Sequence, residues 1–418
     1  MKEIDVEVMA PVGNFETLAA AVQAKADSVY FGVEQLNMRA KSANNFKLTD
    51  LPEVVNIAHT NGMKAYLALN TIIYDHDLRI MRKLVDAAKE AGVDAIIASD
   101  IAVMTYARSR GVPVHASTQL NISNTEALKF FANFCDVVVL ARELTLSQIK
   151  YIVDTVNREQ IKGPSGELVK IEIFVHGALC MAISGKCYLS LHEFNSSANR
   201  GACKQTCRRA YIVIDKETGY ELEIDNEYIM SPKDLSTINF LDKILATGVS
   251  ILKIEGRARP PEYVKTVTEV YKEAVLSIKE GTYTPEKIQL WTQRLARVFN
   301  RGFWDGYYLG RKLGEWTDSY GSKATRQKFF IGKITNYFSK IGVIELQILA
   351  DKISVGDEFL IIGNKTGVVE GKIEEIRIDD KPVLEAYKGD IVSIPVKERV
   401  RRSDKFYKLL KTEFANTK

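Results

Sequence analysis

The chain has 418 residues, 46% of them hydrophobic and 26% charged, with Lys and Arg exceeding Asp and Glu by only four. That is the balance of a globular protein large enough for one big domain and a smaller one. No run approaches the ~18 uncharged apolar residues of a membrane-spanning helix, and a net charge of +4 does not by itself imply a nucleic-acid partner. The opening MKEIDVEVMAPVG has early acids and no sustained apolar run, unlike a signal peptide, so a cytoplasmic location without a membrane partner is expected.

Over residues 1–310, β-branched runs alternate with amphipathic helical stretches. Eight strands are predicted: Val6–Met9, Ser28–Phe31, Lys64–Leu69, Asp94–Ala98, Val112–Ala116, Asp136–Leu140, Ile171–Val175 and Ser250–Ile254. Runs such as Val137–Leu140 are almost wholly apolar, as parallel strands covered on both faces should be. Asn14 is placed to cap FETLAAAVQAKA with Glu16 in the first turn, and Asn124 to cap TEALKFFANF. Asp75–Gly92 has helical apolar spacing and stops at a glycine. Eight such units predict an α/β fold, a (β/α)8 TIM-type barrel with its chemistry at the carboxyl ends of the strands.

The connection from strand seven to strand eight, about residues 176–250, is far longer than an ordinary crossover. Its insertion, about 176–235, carries four of the five cysteines and a hairpin signal at Tyr211–Glu223 turning through KETGY. After Pro260 come a helical stretch, YVKTVTEVYKEAVLSI, and an aromatic segment, Phe299–Leu309. Residues 311–326 read as a linker, 327–400 as a small C-terminal antiparallel β-barrel, and 401–418 as a basic tail. Lys397–Lys411 holds seven bases against two acids: either a solvated face, or a phosphate-contacting strip with Phe406 and Tyr407 for stacking.

Cys180, Cys187, Cys203 and Cys207 are spaced Cys-x6-Cys-x15-Cys-x3-Cys. Clustered thiols in a reducing compartment point to a metal site rather than disulfides. Four thiolates suit tetrahedral zinc or an iron–sulfur cluster. Structural zinc favours two tight pairs, and only Cys203 and Cys207 approach one, so the spread is better matched to a 4Fe–4S cube. Gly177, Gly185 and Gly201 let the backbone bend around it, and Lys204, Arg208 and Arg209 favour thiolate. Four unligated thiols are the bland alternative. Cys135, between FFANF and DVVVL, reads as a buried structural thiol.

The segment EIFVHGALCMAISGKCYLS at Glu172–Ser190 resembles the signature of the collagenase-like peptidase family, whose catalytic type was never assigned. Ala10–Gly32 and Leu252–Val264 resemble its first and late barrel blocks. ANRGACKQTCRR at Ala198–Arg209 and the added β-domain are similar to the tRNA hydroxylation protein (TrhP) branch. This resemblance implies that the four cysteines hold a 4Fe–4S cluster. It also implies oxygen-independent hydroxylation of wobble uridine to 5-hydroxyuridine, with tRNA as partner and prephenate, a small acid, as hydroxyl donor. Other relatives hydroxylate ribosomal RNA or ubiquinone precursors, and some are called proteases.

A peptidase needs a nucleophile with a base, or a metal-bound water. The sequence has no HExxH or GxSxG and only five histidines: His59, His76, His115, His176 and His192. Strand alternation places Glu172 and His176 on one face as orienter and base, or as an ordinary buried pair. For hydroxylation, strand ends should supply Asn70, Ser99, Asp100, His115, Gln119, Asn121, Arg142, Glu143, His176, Glu255 and Arg257. Arg142 and Arg257 can clamp carboxylates, or merely pair with Glu143 and Glu255 at the rim. Arg39, Asn45 and Phe46 match a family block after strand two, and Arg39 is expected to bind substrate with Asn70, Gln119 and Asn121. A target base in a single-stranded loop leaves its stack cheaply. An RNA-binding scaffold with a purely structural cluster is the remaining class.

Overall fold

Eight parallel strands close on themselves in the computed structural model, which describes residues 5–41, 45–212, 214–219, 230–310, 314–318 and 321–412. They are β1 Glu7–Pro11, β2 Ser28–Phe31, β3 Lys64–Leu69, β4 Ala95–Ala98, β5 Val114–Ala116, β6 Val137–Val139, β7 Lys170–Gly177 and β9 Ile251–Ile254; β8, Asp234–Ser236, belongs to the insertion. Closure rests on β9, whose Leu252 pairs with Val8 of β1 on one side and Ile173 of β7 on the other. Nearly every strand residue is buried, because helices cover the outside and side chains fill the inside.

Helices α1 Phe15–Gln23, α2 Leu51–Thr60, α3 Leu78–Ala91, α4 Ile101–Ser109, α5 Thr125–Ala132 and α6 Leu146–Glu159 follow the first six strands. Asn14 accepts from the Thr17 N–H at 2.9 Å and Asn124 from the Ala127 N–H at 2.9 Å, so both expected caps form. Asp75–Asp77 makes a tight turn ahead of α3 rather than its first residues.

Two features of the insertion were not expected. The β7–β9 register shifts between Phe174 and His176, a bulge that turns the end of β7. Then β8 runs back antiparallel to β7, Gly177 opposite Leu235, and β10, Phe303–Trp304, adds beside β8. A short helix, α7 Leu189–Phe194, lies between the cysteines. Of the predicted hairpin at Tyr211–Glu223 the turn is seen, with Gly219 N–H donating to the Asp215 carbonyl at 2.8 Å, while Val213 and residues 220–223 lie outside the described residues. Helices α8 Leu241–Leu245, α9 Pro261–Lys279 and α10 Pro285–Ala296 complete the barrel layer.

Within the expected linker, Trp316 bridges to Pro232 and Glu315 accepts from the Lys233 N–H at 3.0 Å, so this stretch lies along the insertion. The C-terminal strands form an eight-stranded and a two-stranded antiparallel sheet around their own core, with Ile331, Ile344, Ile361 and Phe406 fully buried. The basic tail is a correction. Lys405–Lys411 is a strand paired to Arg326–Phe338 and to Glu358–Gly363, held by Phe406 in the core. Two of its lysines are matched to acids, Lys405 to Glu16 at 3.2 Å and Lys408 to Asp357 at 2.6 Å. Gln23 of α1 bonds Thr366 and Val368, and Lys328 pairs with Glu262 of α9, so the β-domain docks on the barrel's flank. Among the described residues no helix is long and apolar enough to cross a membrane.

Candidate active site at the mouth of the barrel

The loops at the carboxyl ends of the strands enclose a cavity of about 320 Å³. Arg39 comes from the loop after β2, Asn70 from β3, Gln119 from β5, Arg142 from β6, and Glu255, Arg257 and Arg259 from β9. Glu255 is the hub. Its carboxylate lies 3.3 Å from Arg39 Nη2 and 3.7 Å from Arg142 Nη2, and the Tyr30 hydroxyl stands 3.5 Å away. Burial alone would raise the Glu255 pKa, but Arg39, Arg142 and Arg257 outweigh it and hold the carboxyl below its ordinary range. Arg142 lies flat on the Phe174 ring at 3.9 Å and donates to the Ala178 carbonyl at 3.2 Å. Arg257 donates to Asn37 Oδ1 at 3.0 Å, and burial lowers its pKa to about 10, still charged at neutral pH.

A second arginine group borders the cysteines. Arg259 and Arg301 both stack near the Phe299 ring, at 3.9 and 5.2 Å from its centroid, and share Asp234, at 2.8 and 3.5 Å. Arg208 beside them donates to the Leu179 and Pro232 carbonyls. With Lys253, the wall carries, among the described residues, seven cations and a single carboxylate, Glu255. Such a surface selects an anion. Asn70 donates to Gln119 Oε1 at 3.2 Å, leaving both on the polar side of the cavity.

All four cysteines of the insertion line this same cavity. The loop that carries them is pinned to three barrel loops. Arg200 pairs with Asp77 and donates to the Ile72 carbonyl, Asn121 donates to the Ser184 carbonyl at 2.8 Å, and Lys41 N–H donates to Gly201 O at 3.0 Å. The close approach needs glycine at two points. A Cβ on Gly177 (φ +104°) would sit 2.4 Å from the Glu255 carbonyl oxygen, and one on Gly201 (φ +79°) would sit 2.3 Å from that of Asn37. Burial raises the Cys207 pKa, Arg208 lowers it, and each of the other three thiols acts on it in turn, so the four sulfurs share one neighbourhood. No three His, Cys, Asp or Glu among the described residues are set to hold a single metal ion. Cys135 is fully buried elsewhere, in the barrel's helical layer.

Some expected site residues lie apart. The bulge at β7 sends His176 outward, against Tyr263, Tyr271 and Phe303, its Nδ1 3.3 Å from the Tyr271 hydroxyl; it does not line the cavity. Burial, then Arg259, drives its pKa down to about 3, so it is neutral. Glu172 instead points into the barrel, where Lys253 Nζ donates to it at 2.6 Å. The proposed His176–Glu172 dyad does not form. Asn121 ties loops together rather than facing the cavity, Asp100 caps α4, Ser99 bonds the Asn70 carbonyl, and Phe46 packs on Phe15 and Phe31. Asn45 donates to the Arg39 carbonyl at 3.1 Å, and Arg142 turns to Glu255 rather than pairing with Glu143. Sequence reasoning missed Tyr30, Lys253, Arg259, Phe299 and Arg301, although a lysine inside the apolar strand ILKI was a readable signal.

The family model described as Peptidase family U32 matches residues 13–318. A Porphyromonas gingivalis protein named collagenase is 59% identical over 98% of this chain and 99% of its own length. The Bacillus subtilis tRNA hydroxylation protein P1 is 31% identical over 91% of this chain and 89% of its own. The Helicobacter pylori tRNA hydroxylation protein P is 32% identical over 73% of this chain and 72% of its own. The barrel after its first strand, the mouth and the cysteine loop lie within the matched span, and the chain belongs to peptidase family U32.

Proposed function

We propose that this chain is a tRNA-modifying enzyme that converts wobble uridine to 5-hydroxyuridine without molecular oxygen. The observation that carries the reading is the sharing of one cavity by four thiols and an arginine-rich wall. Cys180, Cys187, Cys203 and Cys207 would hold a 4Fe–4S cluster; an all-sulfur donor set of four residues on one cavity fits one. When bound, such a cluster supplies one-electron transfer beside the substrate.

The chain's own residues do the rest. Arg142, Arg257 and Lys253 present positive charge to the carboxylates of a small acid such as prephenate, the hydroxyl donor in this reading. Glu255 keeps the guanidiniums aligned without neutralising them, since it is one carboxylate among three arginines. Asn70 and Gln119 offer amides to the edge of a base, and Phe299 and Tyr30 offer apolar rings. The names of the Bacillus and Helicobacter relatives support tRNA as the substrate.

The name of the Porphyromonas relative favours a peptidase. Against that, no histidine lines the cavity among the described residues, and His176 is neutral and turned away. Nucleoside mass spectrometry of tRNA from cells lacking the gene decides between them. Loss of 5-hydroxyuridine and its derivatives is expected. Unchanged nucleosides, together with casein or collagen cleavage that survives Cys203→Ser, would establish the peptidase instead.

A further inference from the structure

The barrel has a second hollow at its amino end, about 810 Å³ in volume, lined among others by Glu7, Lys64, Tyr66, His115 and Lys170. Three buried ionisable side chains join it to the catalytic cavity. Lys253 lines the cavity, and its Nζ donates to Glu172 Oε1 at 2.6 Å. Glu172 Oε2 faces His115 Nδ1 at 3.8 Å, and His115 lines the lower hollow. None of the three side chains is more than 6% exposed. Glu172 thus stands between the two ends with one oxygen towards each.

Among the described residues Glu172 Oε2 and His115 Nδ1 have no hydrogen-bond partner. Buried polar atoms are rarely left so, because the lost water is not replaced. Here two such atoms face each other, and a single proton on either one, with a closing movement of about 1 Å, makes the missing bond. The gap is a place where a proton can be received. The groups around His115 are Glu172 and Lys170 of β7, Lys253 of β9, Lys64 and Tyr66 of β3, and Glu7 of β1, which accepts from Tyr66 and Lys64 at 2.9 Å each. Burial, then the lysines, lowers the His115 pKa to about 3, while burial raises that of Glu172. His115 is therefore neutral at rest, able to pass a proton on rather than store one.

We propose that Lys253, Glu172 and His115 form a proton relay along the barrel axis, linking the catalytic cavity to the opposite face while a bound macromolecule closes the mouth. The Lys253 ammonium passes a proton to Glu172. Its free amine then takes up a proton released in the cavity. Glu172 hands its proton to His115 Nδ1 as Nε2 releases one to the lower hollow; the turned ring then gives its Nδ1 proton to water in that hollow and takes one back on Nε2, which restores the starting tautomer. Every bond to hydrogen that breaks is matched by one that forms, and no electrons move. Lys253 is the only member that meets the substrate; Glu172 and His115 act through it.

His115→Phe is the cleanest test, because it keeps the Lys253–Glu172 pair and the ring packing on Tyr66. In the tRNA assay its kcat should fall about a hundredfold, the low end for a positioned proton-transfer group, with both KM values within about twofold. Imidazole should restore part of the rate to His115→Gly. This arm rests on the hydroxylase reading; the next does not. In full-length protein labelled with 15N-histidine, Lys253→Met frees Glu172 to take a proton and bond His115 Nδ1, shifting that nitrogen signal. An unmoved His115 signal overturns the relay whatever the enzyme's activity. So does a moved signal with unchanged kcat in His115→Phe, which would leave a structural ion pair. If the wild-type protein makes no hydroxyuridine, the function proposed above fails, and the nitrogen signal alone decides the relay.

Discussion

Gly201→Ala should detach the cysteine loop while leaving the barrel standing. Gly201 has φ +79°, a conformation that costs a residue with a Cβ about 1–2 kcal/mol. The new methyl would meet the Asn37 carbonyl oxygen at 2.3 Å and Ala40 Cβ at 3.0 Å. The nearer of these is backbone, so the loop must retreat by roughly 1 Å, past the limit for good hydrogen bonds. Retreat endangers the bonds from Lys41 N–H to Gly201 O and from Ile72 N–H to Asn199 O, at 3.0 and 3.2 Å. Each contributes about 1 kcal/mol net. The total, about 3–4 kcal/mol, falls on one loop rather than on the core. Iron and acid-labile sulfide per chain, after anaerobic purification, are the assay, with far-UV circular dichroism to show the barrel intact. Gly219→Ala is the control, since its φ of +69° carries the same strain but nothing lies within 4 Å. Full iron loading in Gly201→Ala would refute the idea that close docking of this loop gathers the thiols.

Glu255→Gln leaves three guanidiniums with one carboxylate fewer, and stability at pH 7 should drop by about 3 kcal/mol, as for a broken buried pair. Because the folded-state pKa of Glu255 is depressed, its contribution is present above the unfolded value of about 4.3 and is lost as pH falls through the folded one; urea unfolding at pH 7 and pH 3 should show the deficit shrinking in acid. Gln23→Ala removes three hydrogen bonds to Thr366 and Val368, worth about 3 kcal/mol together, and calorimetry should find the C-terminal sheet melting earlier than the barrel. His176→Phe should keep hydroxylation within about twofold, since its polar contact is a 3.3 Å approach to Tyr271; a large loss would restore His176 as a catalytic base.

The barrel was legible because its strands are short β-branched runs buried on both faces, which few other arrangements accommodate. Closure was not, since it depends on Leu252 meeting Val8, two residues far apart along the chain. The cysteine spacing marked the insertion as a metal site, and the structure places all four thiols on one cavity. The His176–Glu172 expectation assumed unbroken alternation, and one bulged residue sends the two side chains to different neighbourhoods. The Asp234 group was hidden for another reason: Arg259 and Arg301 reach that carboxylate from outside the insertion, and only the fold brings them together. Strand β8 was unreadable because DLS is three residues long and two of them are polar. In Lys405–Lys411 the lysines concealed a strand, because the acids that meet two of them, Glu16 and Asp357, lie far away along the chain.

The most direct test returns single-cysteine variants to cells lacking the gene and measures 5-hydroxyuridine in their tRNA. Cys203→Ser should restore none of it and should purify without iron, whereas Cys135→Ser, buried away from the cavity, should restore wild-type levels. Full restoration by Cys203→Ser would contradict the account, because the four thiols would then not be serving one centre.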